Sequence, residues 1–141
     1  LVLEIFSRER SKNKNVRFID FRPHQEIPLW LRAADVLVLP NTAKEDISLY
    51  WTSPMKLFEY LASGRPVIAS DLPSIREVVN EKQVTFFTPD DANSLVAAIT
   101  GVLAPANYER LACKAEDLSK IIITKHSWLA RAKQIKDFIF S

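Results

Sequence analysis

The chain has 141 residues, 48% of them hydrophobic and 26% charged, with a formal net charge of +2. That length suits one domain with a core of its own, and the apolar content excludes a mainly disordered chain. No apolar run approaches the ~18 residues of a bilayer span, and Cys113, the single cysteine, excludes an internal disulfide or a cysteine-based zinc cluster.

Short apolar runs alternate with amphipathic segments along the chain. Residues 1–10 are expected to be a helix end, with Leu1, Leu3, Ile5 and Phe6 apolar, and 11–15 a loop. Residues 16–20 read as a short strand. Residues 25–34 read as a helix, with Ile27, Leu29, Trp30, Leu31 and Ala34 apolar and Pro28 in the first turn, where its missing N–H is tolerated. The run 36–39 is apolar throughout and stopped by Pro40, as a buried strand should be. Residues 41–52 form a long polar connection without a period. A helix over 54–63, a strand over 67–70, a short helix over 74–79 and a strand over 84–88 follow. Three more helices are expected, over 93–103, 107–119 and 127–140. Strands apolar on both faces, alternating with helices, imply a doubly wound, Rossmann-like parallel α/β sheet.

The charge balance excludes little. Arg8, Arg10, Lys12, Lys14 and Arg17 form the nearest thing to a basic stripe, broken by Glu9 and asparagines, and read as a solvated face rather than a nucleic-acid patch. His24 and His126 lie far apart, against a histidine-rich metal site. The chain begins at Leu1 rather than methionine, which suggests part of something longer, and shows no basic flank leading into a long apolar stretch, so no signal peptide is expected. The Gly-rich dinucleotide fingerprint and the phosphate-binding loop of the NTPases are both absent.

Chemistry concentrates in residues 51–66. Ser53 is a good N-cap, Pro54 suits the first helical position, and Gly64 suits the residue that leaves the helix left-handed. The helix starts after the loop that follows a strand, at the edge where open α/β sheets bind ligands. A helix N-terminus there is an anion site. Lys56 in the first turn opposes the helix dipole, so it favours a phosphate partner over simple helix stabilisation. Glu59 lies three residues on, on the same face, and its carboxylate suits a ribose diol. The plain alternative is a surface Lys–Glu pair on a capped helix.

Several segments together resemble the retaining GT-B glycosyltransferases of the group 1 (family 4) class. They are Val16-Arg17-Phe18, His24-Gln25-Glu26-Ile27-Pro28 with Trp30 to Val36, Leu37-Val38-Leu39-Pro40, Ser53-Pro54-Met55-Lys56-Leu57-Phe58-Glu59-Tyr60, Gly64-Arg65-Pro66-Val67, and Asp90-Asp91-Ala92-Asn93. The resemblance implies the C-terminal, nucleotide-sugar-binding domain of such an enzyme. It implies that Glu59 is the second glutamate of the family's E-x7-E pattern and binds the donor ribose. It implies that Trp51, Thr52, Ser53, Pro54, Met55, Lys56 and Leu57 lie along the diphosphate and donor sugar, and that Phe21, Arg22, Pro23 and His24 line the nucleobase. Lys56 and Glu59 carry the catalytic expectation. Where the family has its first glutamate this sequence has Trp51, which leaves the backbone of 41–52 to hold the sugar hydroxyls.

The resemblance also implies no cofactor and no metal, the donor being a UDP-, GDP- or similar nucleotide sugar; no Asp-x-Asp motif is present. Residues 1–10 match a family helix preceded by a strand, a helix and a strand, so the domain's first strands and the acceptor domain are expected to be missing and the isolated chain to be inactive. The expected location is cytoplasmic, with the longer protein peripheral at the membrane as an open alternative. The family's last helix crosses back to the other domain, which would leave apolar residues of 127–140 exposed. Among single residues, Asp35 reads as a helix end rather than an acid, Trp30 as core, and Cys113 as inert. His24 suits either a base contact or a helix cap. The rival from another class is a receiver-like regulatory or protein-docking α/β module. Such a module wants an acidic cluster at the strand ends and a lysine before a proline, where this chain has Asn41 after Pro40 and Arg65 before Pro66.

Overall fold

The computed structural model describes residues 3–6, 14–51 and 55–140. The chain divides into two compact units, Leu1–Trp30 and Leu31–Ser141. The first holds β1 (Leu3–Phe6) and β2 (Val16–Ile19), paired in parallel with Leu3 opposite Val16 and Phe6 opposite Ile19. A 3-10 turn over His24–Glu26 then leads into α1 (Ile27–Ala33), within which the boundary falls.

Residues 3–6 are therefore a strand, not the helix end expected. Leu3, Ile5 and Phe6 satisfy a helical and an extended period almost equally, and a partner strand rich in β-branched and aromatic residues decides between them. The placement of residues 1–10 on a family helix falls with it; residues 1, 2 and 7–13 lie outside the described residues.

The second unit holds a three-stranded parallel sheet in the order β3 (Leu37–Leu39), β4 (Val67–Ser70), β5 (Thr85–Phe87). Leu37 pairs with Val67 and Ile68 with Thr85. Helix α2 (Met55–Ala62) carries the chain from β3 to β4, and α3 (Pro73–Arg76) from β4 to β5. Then come α4 (Ala92–Leu103), α5 (Pro105–Lys125) and α6 (Trp128–Phe140). All four residues of β4 are buried, as expected for the middle strand of a sheet covered on both faces. Ile68, Phe87 and Val102 form a cluster within the core, with Val36, Leu95, Ile99 and Leu111 packed on it. The parallel α/β layering expected from the sequence is present, with five strands among the described residues rather than four.

Helix ends follow local chemistry. The Asp91 carboxylate caps α4, accepting from the backbone N–H groups of Asn93 (2.8 Å) and Ser94 (3.2 Å). Gly64 leaves α2 at φ +75°, buried beneath α5 beside Glu116 and Ser119. A Cβ there would adopt left-handed backbone and run into the Glu116 carboxylate, whose side chain can swing aside but whose helix cannot. Gly64→Ala is expected to destabilise by about 1–2 kcal/mol, mostly from the backbone term. Thermal melts of the two proteins check this; an unchanged Tm would mean the turn relaxes freely.

Helix α5 runs well beyond the expected 107–119 because Ser119 and Ile122 stay buried. Helix α6 carries no buried residue and leaves Trp128, Leu129, Phe138 and Phe140 strongly exposed, as expected of that segment. No helix among the described residues is long and apolar enough to cross a membrane.

Candidate functional site

The carboxyl edge of β3, β4 and β5 gathers the connections that matter. From Leu39 the chain passes Pro40 into a segment expected to lack periodicity, but Ile47–Trp51 winds as one π-helical turn. The N–H groups of Ser48 and Leu49 donate to the Glu45 carbonyl at 2.9 and 3.0 Å and open that turn.

Side chains far along the sequence hold this segment. The fully buried Ser70 hydroxyl, at the end of β4, donates to the Asn41 carbonyl at 2.7 Å. Ser74, in α3, donates to the Ser48 carbonyl at 3.0 Å. Asp90, beyond β5, accepts from the Ala43 N–H at 2.9 Å and the Thr42 hydroxyl at 3.1 Å. Asp90 stands at φ 59°, the one non-glycine residue with positive φ recorded among the described residues. Its two donors, with Lys44 nearby, hold its carboxyl below the usual carboxylate range.

Helix α2 begins at this edge, because β3 and β4 are parallel and the helix returns the chain between them. Leu57 and Leu61 are its buried stripe, and Met55, Lys56 and Glu59 are exposed. Lys56 is the second residue of the helix, so its charge stands in the first turn with Glu59 one turn on. Leu57 is wholly buried, which leaves only its backbone to meet a ligand. Trp51 closes the π-helical turn, and Thr52, Ser53 and Pro54 lie outside the described residues, as do the N-cap and first-position roles expected of Ser53 and Pro54. Tyr60 is half-buried; burial first, and the Glu59 charge second, push its phenol above its ordinary pKa. Midway along α2, Phe58 stacks on His126, ring centroids 5.2 Å apart.

In the first unit, Phe21 is 84% exposed, its N–H donating to the Asp20 carboxylate at 2.8 Å. Arg22 stands over the ring of Trp30 at 5.4 Å, and Trp30 is half-buried rather than full core. Pro23 and His24 are exposed, and the 3-10 turn that His24 opens has no side-chain cap bond at its N-cap, Pro23.

A second charged cluster borders β5. Arg76 donates to Asp71, once at 2.9 Å and once more closely, and to Glu81, while its guanidinium lies 4.3 Å from the Phe86 ring. The hydrogen bonds from Arg76 hold both carboxyls below their usual range. Lowered carboxyl pKa values add stability above the ordinary values, ~3.9 for Asp and ~4.3 for Glu, and lose it as pH falls through the folded ones. Arg76→Gln should therefore flatten the fall of Tm below about pH 4.5, the effect being small because these groups are exposed. The level of Tm also drops as the Phe86 contact goes, so the slope is the measure; an equally steep acid limb would refute the assignment.

Sequence reasoning singled out Lys56 and Glu59, which lie exposed on α2, and did not single out Asp90, which ties the 42–43 segment. Its signal was present in the Asp90-Asp91 pair, of which only the second is needed as the α4 cap.

Residues 4–105 match the family described as glycosyl transferases, group 1. A phosphatidyl-myo-inositol mannosyltransferase of Mycobacterium tuberculosis is 30% identical over 107 residues, which cover 74% of this chain and 27% of that protein. The amylovoran biosynthesis glycosyltransferase AmsK of Erwinia amylovora is 31% identical over 85 residues, 60% of this chain and 21% of that one. Among solved structures, Anabaena HepE in complex with UDP-glucose superposes with a TM-score of 0.70 at 20% identity, over 89% of this chain and 32% of its own. Sucrose-phosphate synthase from Thermosynechococcus elongatus gives a TM-score of 0.67 at 26% identity, over 89% of this chain and 30% of its own. The chain spans about a quarter of the length of the curated relatives it matches.

Proposed function

The chain belongs to the group 1 glycosyl transferases, and we propose that it forms the donor-binding part of a retaining, GT-B enzyme of the family 4 kind. The enzyme transfers a sugar from a nucleotide diphosphate sugar to an acceptor held elsewhere, without a metal. The observation that carries this is the start of α2, where Lys56 and Glu59 stand exposed one turn apart at the carboxyl edge of a parallel sheet, above a stripe of wholly buried leucine. Lys56 and the first-turn N–H groups take the diphosphate, and they gain most as negative charge develops on the leaving group. Glu59 accepts from the ribose hydroxyls. The backbone of 41–51 holds the donor sugar where Trp51 stands in place of a glutamate. Phe21, Arg22, Pro23 and His24 carry the nucleobase role as a separate assignment within their own unit. HepE, whose structure holds UDP-glucose, supports a nucleotide-sugar partner. The 141 residues alone are proposed to be inactive.

Calorimetric titration with UDP and GDP tests this. A Kd of ~0.1–1 mM is expected for at least one of them, with amide shifts at Met55, Lys56 and Glu59. No binding, or shifts confined to α6, would overturn the proposal.

A further inference from the structure

The connection 40–51 has a single π-helical turn of its own, and three residues from later in the chain grip it. Ser70 and Ser74 donate to its carbonyls, at Asn41 and Ser48. Asp90 makes the remaining tie and differs in kind: it accepts, and so takes up donors of the segment rather than acceptors. Its tie also runs furthest, from the far side of β5 back across the sheet to the segment after β3. The Thr42 hydroxyl in turn accepts from the Lys44 N–H at 3.2 Å, so the carboxylate sits at the head of a short chain of bonds that sets the turn from 42 to 44. A non-glycine residue kept at φ 59° incurs backbone strain, and such strain persists where surrounding contacts over-determine it.

We propose that Asp90 is a positioning residue for the donor sugar: its carboxylate presets the backbone of 42–44, and through it the segment that meets the sugar rather than the nucleotide. The inference rests on the function proposed above and adds a residue to it. A binding edge made of backbone needs such presetting, because a loop that must be ordered on binding subtracts that ordering cost from affinity. Asp90 touches neither phosphate nor ribose in this scheme, so its effect is confined to ligands that carry a sugar.

The test compares two ligands on the intact protein. UDP and UDP-glucose, or GDP and GDP-mannose if guanine binds, are titrated into the unsubstituted protein, Asp90→Gly, Asp90→Asn and Thr42→Val. Glycine keeps the positive φ without strain and removes both bonds. Asparagine tolerates the same backbone and keeps one acceptor oxygen. Thr42→Val removes one donor to Asp90, and with it the acceptor of the Lys44 N–H, and keeps the bond from the Ala43 N–H to Asp90. Asp90→Gly should weaken the nucleotide sugar by roughly five- to twentyfold while the nucleoside diphosphate stays within about twofold. Asp90→Asn should recover part of the loss, and Thr42→Val should show a smaller loss of the same selectivity. A merely structural role would weaken both ligands together, and that result, or an unchanged ratio of the two affinities, overturns the inference while leaving the function standing. Failure of the unsubstituted protein to bind either nucleotide overturns the function and the inference with it.

Discussion

On the proposed function, Lys56→Ala should lower kcat/KM by roughly ten- to a hundredfold in the intact enzyme, with a large part of the loss in kcat. A charge-assisted hydrogen bond is worth ~1.5–3 kcal/mol, and a contact that strengthens as the diphosphate departs lowers the barrier rather than only the donor's ground state. The exposure of Lys56 places its unliganded ammonium in water, so removing it leaves no buried partner orphaned and the fold intact. Its cost is then kinetic, and Tm should be unaffected. Steady-state kinetics with a saturating acceptor separates the terms. A rise in KM with kcat unchanged would place the lysine on the ground state alone and remove its catalytic role.

The second large effect separates Glu59 from Lys56. Glu59→Gln keeps the shape and one acceptor oxygen but drops the charge that strengthens bonds from ribose hydroxyls. With a ribose donor the loss should reach roughly tenfold in kcat/KM. With the 2′-deoxy donor the same substitution should cost much less, because one bond is already gone. The cycle of two enzymes and two donors isolates that coupling. Equal penalties with both donors would withdraw the ribose role, whatever the size of the individual losses.

What the sequence made legible follows the range over which each feature is decided. Strand β4 is an apolar run after Gly64 and Pro66, and its boundaries come from those few residues. The left-handed exit at Gly64 is equally local. The helix that carries Lys56 and Glu59 on one exposed face is legible because its pattern needs only its own residues to be recognised. The features that were misread depend on distant partners. Residues 3–6 fit two periods until β2 supplies a partner. The π-helical turn over Ile47–Trp51 leaves no local periodicity, and Ser74 holds it from α3. The end of α5 includes Ile121, Ile122, Ile123 and Thr124, a β-branched run that argues against a helix, yet burial of Ile122 carries the helix on to Lys125. The ties of Asp90 are illegible for the same reason: its partners lie 47 and 48 residues away, at Ala43 and Thr42.

The buried stripe of α2 has a bearing on how the site tolerates change. Each residue turns a helix by about 100°, so Lys56 and Glu59 lie about 60° apart, and the middle of that arc is roughly 150° from the midpoint of Leu57 and Leu61. The charged pair and the leucines are thus back to back on a rod of eight residues, and the leucines act as its rotational stop. A core substitution that lets the rod turn by about 20° would carry a charged group near its surface, ~5–6 Å from the axis, sideways by about 2 Å. Displacements of that order are enough to cost on the order of a hundredfold in rate, whereas the same repacking costs a stable core little. On the proposed function, conservative changes at Leu57 and Leu61, Leu→Met or Leu→Ile, should therefore behave as kinetic variants long before they behave as folding variants, the two side chains guarding the torsional register of one short helix more than the depth of its packing.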